Sequence, residues 1–225
     1  MENQYLSAFI HSAFIGFAAL LPPVNPLGSA LIVEPFIKNL SPSQRFTAAL
    51  TIAFYSFALC ATIIFFGSFF FHFFGISIPV VQLAGGFLIC RMALESLASK
   101  NNLNEEKEVI GIRQTSRNVQ DMLFFPLSFP TTTGGGTIAV LLALSANNFG
   151  SGLEEHLIEQ SALILASFIM CTAVCICYYF APKILDRLSS QGHQVADRLS
   201  GFLTFCVGLQ ILVNGITALT KTILK

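Results

Sequence analysis

Two interruptions in long apolar runs constrain this fold more than any other feature. The first, Leu21 to Leu31, reads LPPVNPLGSAL, and the second, Phe129 to Ala139, reads FPTTTGGGTIA. In hydrocarbon every backbone N–H and C=O needs an internal partner, so a broken helix at membrane depth must be buried in protein or line a wet cavity. Both interruptions are therefore predicted to face a cavity inside a membrane protein.

The two interruptions occupy equivalent positions in the chain. An offset of 108 residues places Asn25 on Thr133 and Ser29 on Thr137. Broken segments in corresponding halves of a membrane protein indicate the binding site of a transporter. Each break precedes a half-helix whose unpaired N–H groups and positive dipole end favour an anion such as a carboxylate.

The composition is typical of an integral membrane protein. Hydrophobic residues make up 54% of the 225 residues and charged residues 11%, whereas about a quarter is charged in soluble domains. At about 20 residues per span, the chain has room for six helices across a membrane and for no soluble domain. The formal net charge is zero without a basic tract, which argues against nucleic acid as a partner.

We therefore predict an all-α polytopic membrane protein with six transmembrane helices, of which helices 1 and 4 are broken. It forms a single membrane domain over residues 1–225, with a first repeat at 1–98, a connector at 99–121 and a second repeat at 122–225. The third and sixth spans match at an offset of 115 residues. Three spans per copy is an odd number, so the copies have opposite orientations and form a 3+3 inverted repeat.

The positive charges predict the orientation in the membrane. Nine Lys and Arg residues lie in or beside the connections between spans one and two, three and four, and five and six. On the other side lie only Lys221 and Lys225. By the positive-inside rule, the three connections are cytoplasmic and both termini lie on the non-cytoplasmic side.

Several motifs resemble those of the MarC family of bacterial and archaeal inner-membrane proteins. They are Asn25 to Gly28, Ala84 to Leu88, Phe125 to Pro130, Gly134 to Ile138 and the tail from Arg198 to Ile216. The resemblance covers most of the chain, with Gly135 standing where the family usually has Pro. It implies a bacterial or archaeal cytoplasmic (inner) membrane location and a secondary transporter of small neutral amino acids such as glycine and alanine, or of similar small solutes.

Transport by alternating access then requires an energy source. The sequence has no G-x-x-x-x-G-K-[ST] phosphate loop, so coupling to Na+ or H+, or passive transport, is expected instead of ATP hydrolysis. A channel or a membrane scaffold without carrier activity stays open as the alternative, because half-helices that meet at the midplane also build pores. The signatures of intramembrane hydrolases and metalloproteases are absent, so no enzyme activity, metal or cofactor is predicted.

The candidate substrate-binding residues come from the two breaks. Asn25 and Thr133 either bind the solute or only cap the half-helices that follow them. Ser29 and Thr137 either face the solute or bond between helices. Bare glycine backbone favours small ligands. The full set is Asn25, Pro26, Gly28, Ser29, Thr132, Thr133, Gly134, Gly135, Gly136 and Thr137.

Three ionisable residues near membrane depth are candidates for a gate or for ion coupling: Glu34, Arg91 and Glu95. Arg91 and Glu95 are four residues apart on one helix face, where they can form an ion pair. The alternative is that each side chain extends to the cytoplasmic interface. All six cysteines fall within apolar runs, which favours reduced packing residues over disulfides or metal ligands.

Overall fold

Helices make up nearly all of the described chain. The computed structural model describes residues 2–73, 75–98, 119–146, 153–187 and 190–223. We number the helices α1 to α8 and give the name proline segment to Leu123–Thr132, a π-helical stretch between α5 and α6. The helices are α1 (Glu2–Val24), α2 (Pro26–Ile37), α3 (Pro42–Phe73), α4 (Ile78–Ala98), α5 (Val119–Met122), α6 (Gly135–Ala146), α7 (Leu153–Arg187) and α8 (Ser190–Ile223).

Within the described residues, four helices are long and apolar enough to cross a membrane. They contain the stretches Tyr5–Val24, Pro42–Gly67, Glu154–Lys183 and Gly201–Lys221. A fifth crossing results if Val119–Thr132 and Gly135–Ser145, bent by 64°, count as one broken span. The prediction of an all-helical polytopic membrane protein is therefore confirmed.

Judged by length and composition, the described helices give four or five crossings and not the predicted six. The apolar part of α4 is the shorter stretch Pro79–Arg91, because the charged Arg91 ends it. In the second half, α5 begins at Val119, inside the segment predicted as a connector. The rest of that connector, 99–118, lies outside the described residues.

The long helix α7 packs against α1, α2 and α3. Tyr5 donates a hydrogen bond to Glu154 at 3.2 Å, and further along both helices Gly16 lies beside Ala166, so α1 runs parallel to α7. Ring contacts pair Phe46 with Tyr179 and Phe57 with Phe168. These contacts advance in opposite directions along the two chains, so α3 is antiparallel to α7.

The helices α4 and α8 form the most extensive contact of the fold and are also antiparallel. A β-carbon on Gly86 would lie 2.8 Å from the Gly208 carbonyl oxygen, and one on Gly215 would lie 3.1 Å from the Leu83 nitrogen. Small residues let helix backbones approach closely inside a membrane, where packing and not water exclusion drives association. The glycines therefore account for the close approach of this pair.

The buried core lies where α2, α3, the proline segment and α7 meet. Its apolar side chains include Val33, Ile52, Leu127 and Val174, all fully buried. Polar side chains are buried with them, and some of these have no hydrogen-bond partner within the described residues, which is costly in an apolar interior. They include Ser29, Ser56, Ser128, Thr132, Thr133, Thr137 and Ser167. Five of these seven residues, Ser29, Ser128, Thr132, Thr133 and Thr137, belong to the two breaks or to the proline segment.

Candidate functional site

The first break is a single residue. Helix α1 ends at Val24, Asn25 adopts left-handed backbone angles (φ 40°, ψ 70°), and α2 begins at Pro26. Asparagine tolerates this conformation better than most residues because its side chain bonds to nearby backbone. Here the Asn25 Oδ1 accepts a hydrogen bond from the Gly28 N–H at 3.1 Å. Asn25 is thus the N-cap of α2, and its amide oxygen is occupied.

The second break is built from hydroxyl groups and prolines. Proline removes backbone N–H groups from the segment, and two hydroxyls donate in their place. Ser128 Oγ donates to the Leu123 carbonyl at 2.6 Å and Thr132 Oγ1 to the Leu127 carbonyl at 2.7 Å. The 64° bend then falls between Thr132 and Gly135, inside the stretch that the sequence analysis singled out.

The start of α6 differs from the start of α2. Among the described residues, no acceptor reaches the N–H groups of Gly135, Gly136 and Thr137, and Ile138 is the first to bond, to the Gly134 carbonyl at 3.1 Å. The Thr137 hydroxyl is fully buried and has no hydrogen-bond partner within the described part of the chain. An unpaired buried hydroxyl of this kind is rare in proteins, which makes the start of α6 a candidate ligand site.

Thr133, the counterpart of Asn25, does not cap its half-helix. It is buried, and its hydroxyl interacts with the thiol of Cys60 on α3, which in turn interacts with the thiol of Cys171 on α7. All six cysteines are free thiols. The two residues that the predicted repeat aligns therefore have different roles. Asn25 caps α2, whereas Thr133 does not cap α6.

A fully buried tyrosine links the two breaks. The Tyr178 hydroxyl lies 2.7 Å from Thr132 Oγ1, and Ser29 at the start of α2 is its second side-chain partner. The sequence analysis missed Tyr178, because nothing local distinguishes it from the adjacent Tyr179. A signal was present in its helix, where Ser167, Cys171, Val174 and Tyr178 follow a helical face.

The predicted glycines and Pro26 lie at or next to the starts of the two half-helices. A β-carbon on Gly134 would lie 2.9 Å from the Pro130 carbonyl oxygen, so a side chain there has no room. Gly136 is buried and Gly135 is exposed, both in the first turn of α6. Pro26 and Gly28 are buried in the first turn of α2. Where the family usually has Pro, Gly135 adds a backbone N–H to the open helix end.

The predicted gate residues belong to other turns or helices than the residues of this polar cluster. Glu34 is half-buried in the third turn of α2, and Arg91 is exposed on α4. Glu95 belongs to α4, but its side chain lies outside the described part of the structure. Ser29, Thr132 and Thr133 are the predicted residues that the structure brings together, around Tyr178 and the two thiols.

Comparison with known proteins gives a family match over most of this chain. Residues 9–220 match the model of the family described as MarC family integral membrane protein. Proteins named UPF0056 inner membrane protein MarC are 27% identical in Citrobacter koseri and 28% identical in Salmonella typhimurium, each over 217 residues that cover 92% of this chain and 95% of the relative. No solved structure matches the chain. Because the family model spans most of its length, this chain belongs to the MarC family of integral membrane proteins.

Proposed function

We propose that this protein is a secondary transporter of small neutral amino acids, or of similar small solutes, across the inner membrane by alternating access. The observation that supports this most directly is the start of α6. Three backbone amides and the buried Thr137 hydroxyl lie there without protein partners in the described residues. The proposed activity moves a solute and makes or breaks no covalent bond.

A carboxylate suits this helix end chemically. The unpaired N–H groups and the helix dipole together carry roughly half a positive charge, which attracts an anionic group. Hydrogen bonds from such amides to a charged oxygen are stronger than bonds between neutral groups. The amino acid's carboxylate would therefore occupy the start of α6, with the Thr137 hydroxyl as a further donor.

The glycine backbone supports a limit on solute size. Gly135 and Gly136 have no side chains beyond the backbone, and Gly134 has no room for one. A ligand that approaches bare backbone this closely must itself be small near its carboxylate. Glycine and alanine meet this requirement, and they are the solutes that the family resemblance implies.

We also propose the six-crossing 3+3 inverted repeat. Residues related by a two-fold axis touch each other only near that axis. Cys90 Sγ lies 3.8 Å from the carbonyl oxygen of Phe205, its counterpart at the predicted offset of 115 residues. Phe57 and Phe168, 111 residues apart, have ring centroids 5.8 Å apart. These contacts, and the antiparallel pairs α3 with α7 and α4 with α8, support an axis in the membrane plane.

Coupling and orientation complete the proposal. A Na+ or H+ gradient would drive the carrier, with Glu34 in α2 as the nearest carboxylate in sequence to the first break and Arg91 and Glu95 at the end of the third crossing. Both termini would lie on the non-cytoplasmic side of the inner membrane. The partners are thus a small amino acid, a coupling cation and the lipid bilayer.

Uptake of labelled glycine and alanine into proteoliposomes tests the proposal, under Na+ gradient, H+ gradient and exchange conditions. We expect saturable uptake that falls at least about tenfold in Thr137→Val, because one hydrogen bond to a charged group is worth about 1.5–3 kcal/mol. The unfolding temperature should stay the same or rise, since the lost hydroxyl is buried without a partner.

Ser145→Ala is the matched control for Thr137→Val. Ser145 is also buried in α6 without a hydrogen-bond partner in the described structure, but it lies nearly three turns beyond the helix start. Its uptake should stay within about twofold of the wild type. Absence of uptake by folded wild-type protein under every condition would contradict the transporter, and ion conductance far above carrier turnover would favour a channel.

A further inference from the structure

The hydroxyl of Tyr178 has more acceptors than it can bond. Tyr178 is fully buried in the middle of the apolar core. Its hydroxyl contacts Thr132 at the end of the proline segment at 2.7 Å and also interacts with Ser29 at the start of α2. These two neighbours belong to the two different breaks. The one hydrogen bond that Tyr178 can donate therefore connects α7 to one break or to the other.

The proton inventory identifies Tyr178 as the donor. A hydroxyl group has a single proton to donate. Thr132 donates its proton to the Leu127 carbonyl at 2.7 Å, and Ser29 donates its own to the Asn25 carbonyl at 2.9 Å. Both hydroxyl oxygens can then only accept from Tyr178. Tyr178 has one proton and can form a short hydrogen bond to only one of them at a time. In this structure the short contact, 2.7 Å, is to Thr132.

Exchanging the acceptor costs little free energy. A bond from Tyr178 to Thr132 and a bond from Tyr178 to Ser29 are of the same chemical kind, and each leaves the other oxygen with its own donated bond intact. A packed core that offers two such arrangements is bistable, and a modest ligand preference shifts it. The start of α2 and the end of the proline segment are the parts that a solute at the breaks would displace.

We propose that Tyr178 is a positioning residue that switches its hydrogen bond between Thr132 and Ser29 as the two repeats alternate. The inference rests on the proposed transport function. In the conformation described here, the bond to Thr132 holds the second break against α7. In the alternate conformation, the bond to Ser29 holds the first break and releases the second.

Tyr178→Phe tests the switch because it keeps the ring and removes only the hydroxyl. We expect the maximal rate of glycine uptake to fall about tenfold while KM changes less than about twofold, since Tyr178 does not bind the solute in this proposal. Tyr179→Phe is the matched control. The Tyr179 ring packs on Phe46 and Phe180, and this variant should transport as the wild type does.

The thiols beside Thr133 provide a readout that does not depend on transport. Cys60 and Cys171 are buried, so their alkylation by N-ethylmaleimide, resolved by mass spectrometry, reports opening of the second break. Thr132→Val removes the acceptor of the present state and should speed alkylation several-fold. Ser29→Ala removes the acceptor of the alternate state and should slow it.

Opposite responses of the two acceptor variants are what distinguish a switch from simple core packing. Faster alkylation in both variants to the same extent, or a Tyr178→Phe protein indistinguishable from Tyr179→Phe in both assays, would overturn the inference. If the wild type shows no uptake but the alkylation rates still diverge as expected, the transport function fails and the two-state hydroxyl stands. If the wild type shows uptake but the alkylation rates of the two variants do not diverge, only the proposed switch is contradicted.

Discussion

At the scale of single residues, the two half-helices differ in how their first turns are capped. Asn25 supplies its own side-chain oxygen to the Gly28 N–H and its carbonyl to the Ser29 N–H. Pro26 has no N–H to satisfy. Thr133 is β-branched, which disfavours the left-handed conformation that Asn25 adopts, and its hydroxyl interacts with the Cys60 thiol. The open donors therefore belong to α6.

Substitutions at Asn25 separate the cap from the backbone conformation. Asn25→Ala should lower the unfolding free energy by about 2 kcal/mol, because it removes the cap and strains a left-handed residue. Asn25→Gly should cost only a few tenths of a kcal/mol, since glycine adopts the conformation freely and caps acceptably. A thiol-reactive dye in a thermal melt suits this chain, which has six free cysteines and no Trp. Equal losses in both variants would contradict this assignment.

At the scale of elements, the two breaks interrupt a helix by different means. The first needs one left-handed residue between α1 and α2. The second needs ten residues in which Phe125 and Phe129 are extended and two hydroxyls bond to carbonyls five residues back. Serine and threonine offer the backbone this alternative to a regular helix. The longer break is the one that leaves a helix end uncapped.

The close contact of α4 with α8 makes a second prediction at this scale. A β-carbon on Gly208 would lie 2.9 Å from the backbone nitrogen of Cys90, so Gly208→Val should force the helices apart. Overpacking of this kind costs about 1–3 kcal/mol. The thermal melt should show the loss, whereas Ala58→Val, at an exposed position of α3, should leave the midpoint nearly unchanged. A wild-type midpoint for Gly208→Val would show that the pair is looser than described.

At the scale of the whole molecule, α7 is the helix against which α1, α2 and α3 all pack. It packs in parallel with α1 and antiparallel with α3, and it places Tyr178 between the two breaks. Under the proposed function, a rigid helix in this position would transmit a displacement at one break to the other. The proposed alternation between repeats therefore has a physical route through one side chain.

The proposed orientation gives a prediction for the intact chain. Alkaline phosphatase fused after Lys225 should be active and a fluorescent protein fused there should be dim, because the C-terminus is placed on the non-cytoplasmic side. Fusions after Ile110, in the connector predicted to be cytoplasmic, should behave in the opposite way. A bright C-terminal fluorescent fusion in whole cells would contradict the orientation, and bright fusions at both sites would also contradict the odd number of crossings in the second repeat.

Much of the fold follows from local sequence signals. Apolar runs of helical length predict crossings, and prolines and glycines inside such runs predict breaks, because both effects depend on the backbone of a few neighbouring residues. Both breaks fall inside the predicted stretches, at Asn25 and between Thr132 and Gly135. The glycines alone did not indicate that Gly135 and Gly136 would belong to α6, since helix starts depend on the segment before them.

The sequence by itself determined that this chain is a helical membrane protein with two equivalent interruptions. Only the tertiary structure decided that α2 is capped and α6 is not, and that Tyr178 joins Ser29 to Thr132. The physical reason is that a cap or a buried hydrogen bond depends on which side chains meet from segments far apart in the chain. Local propensity determines where a helix breaks, and packing determines what the broken ends bind.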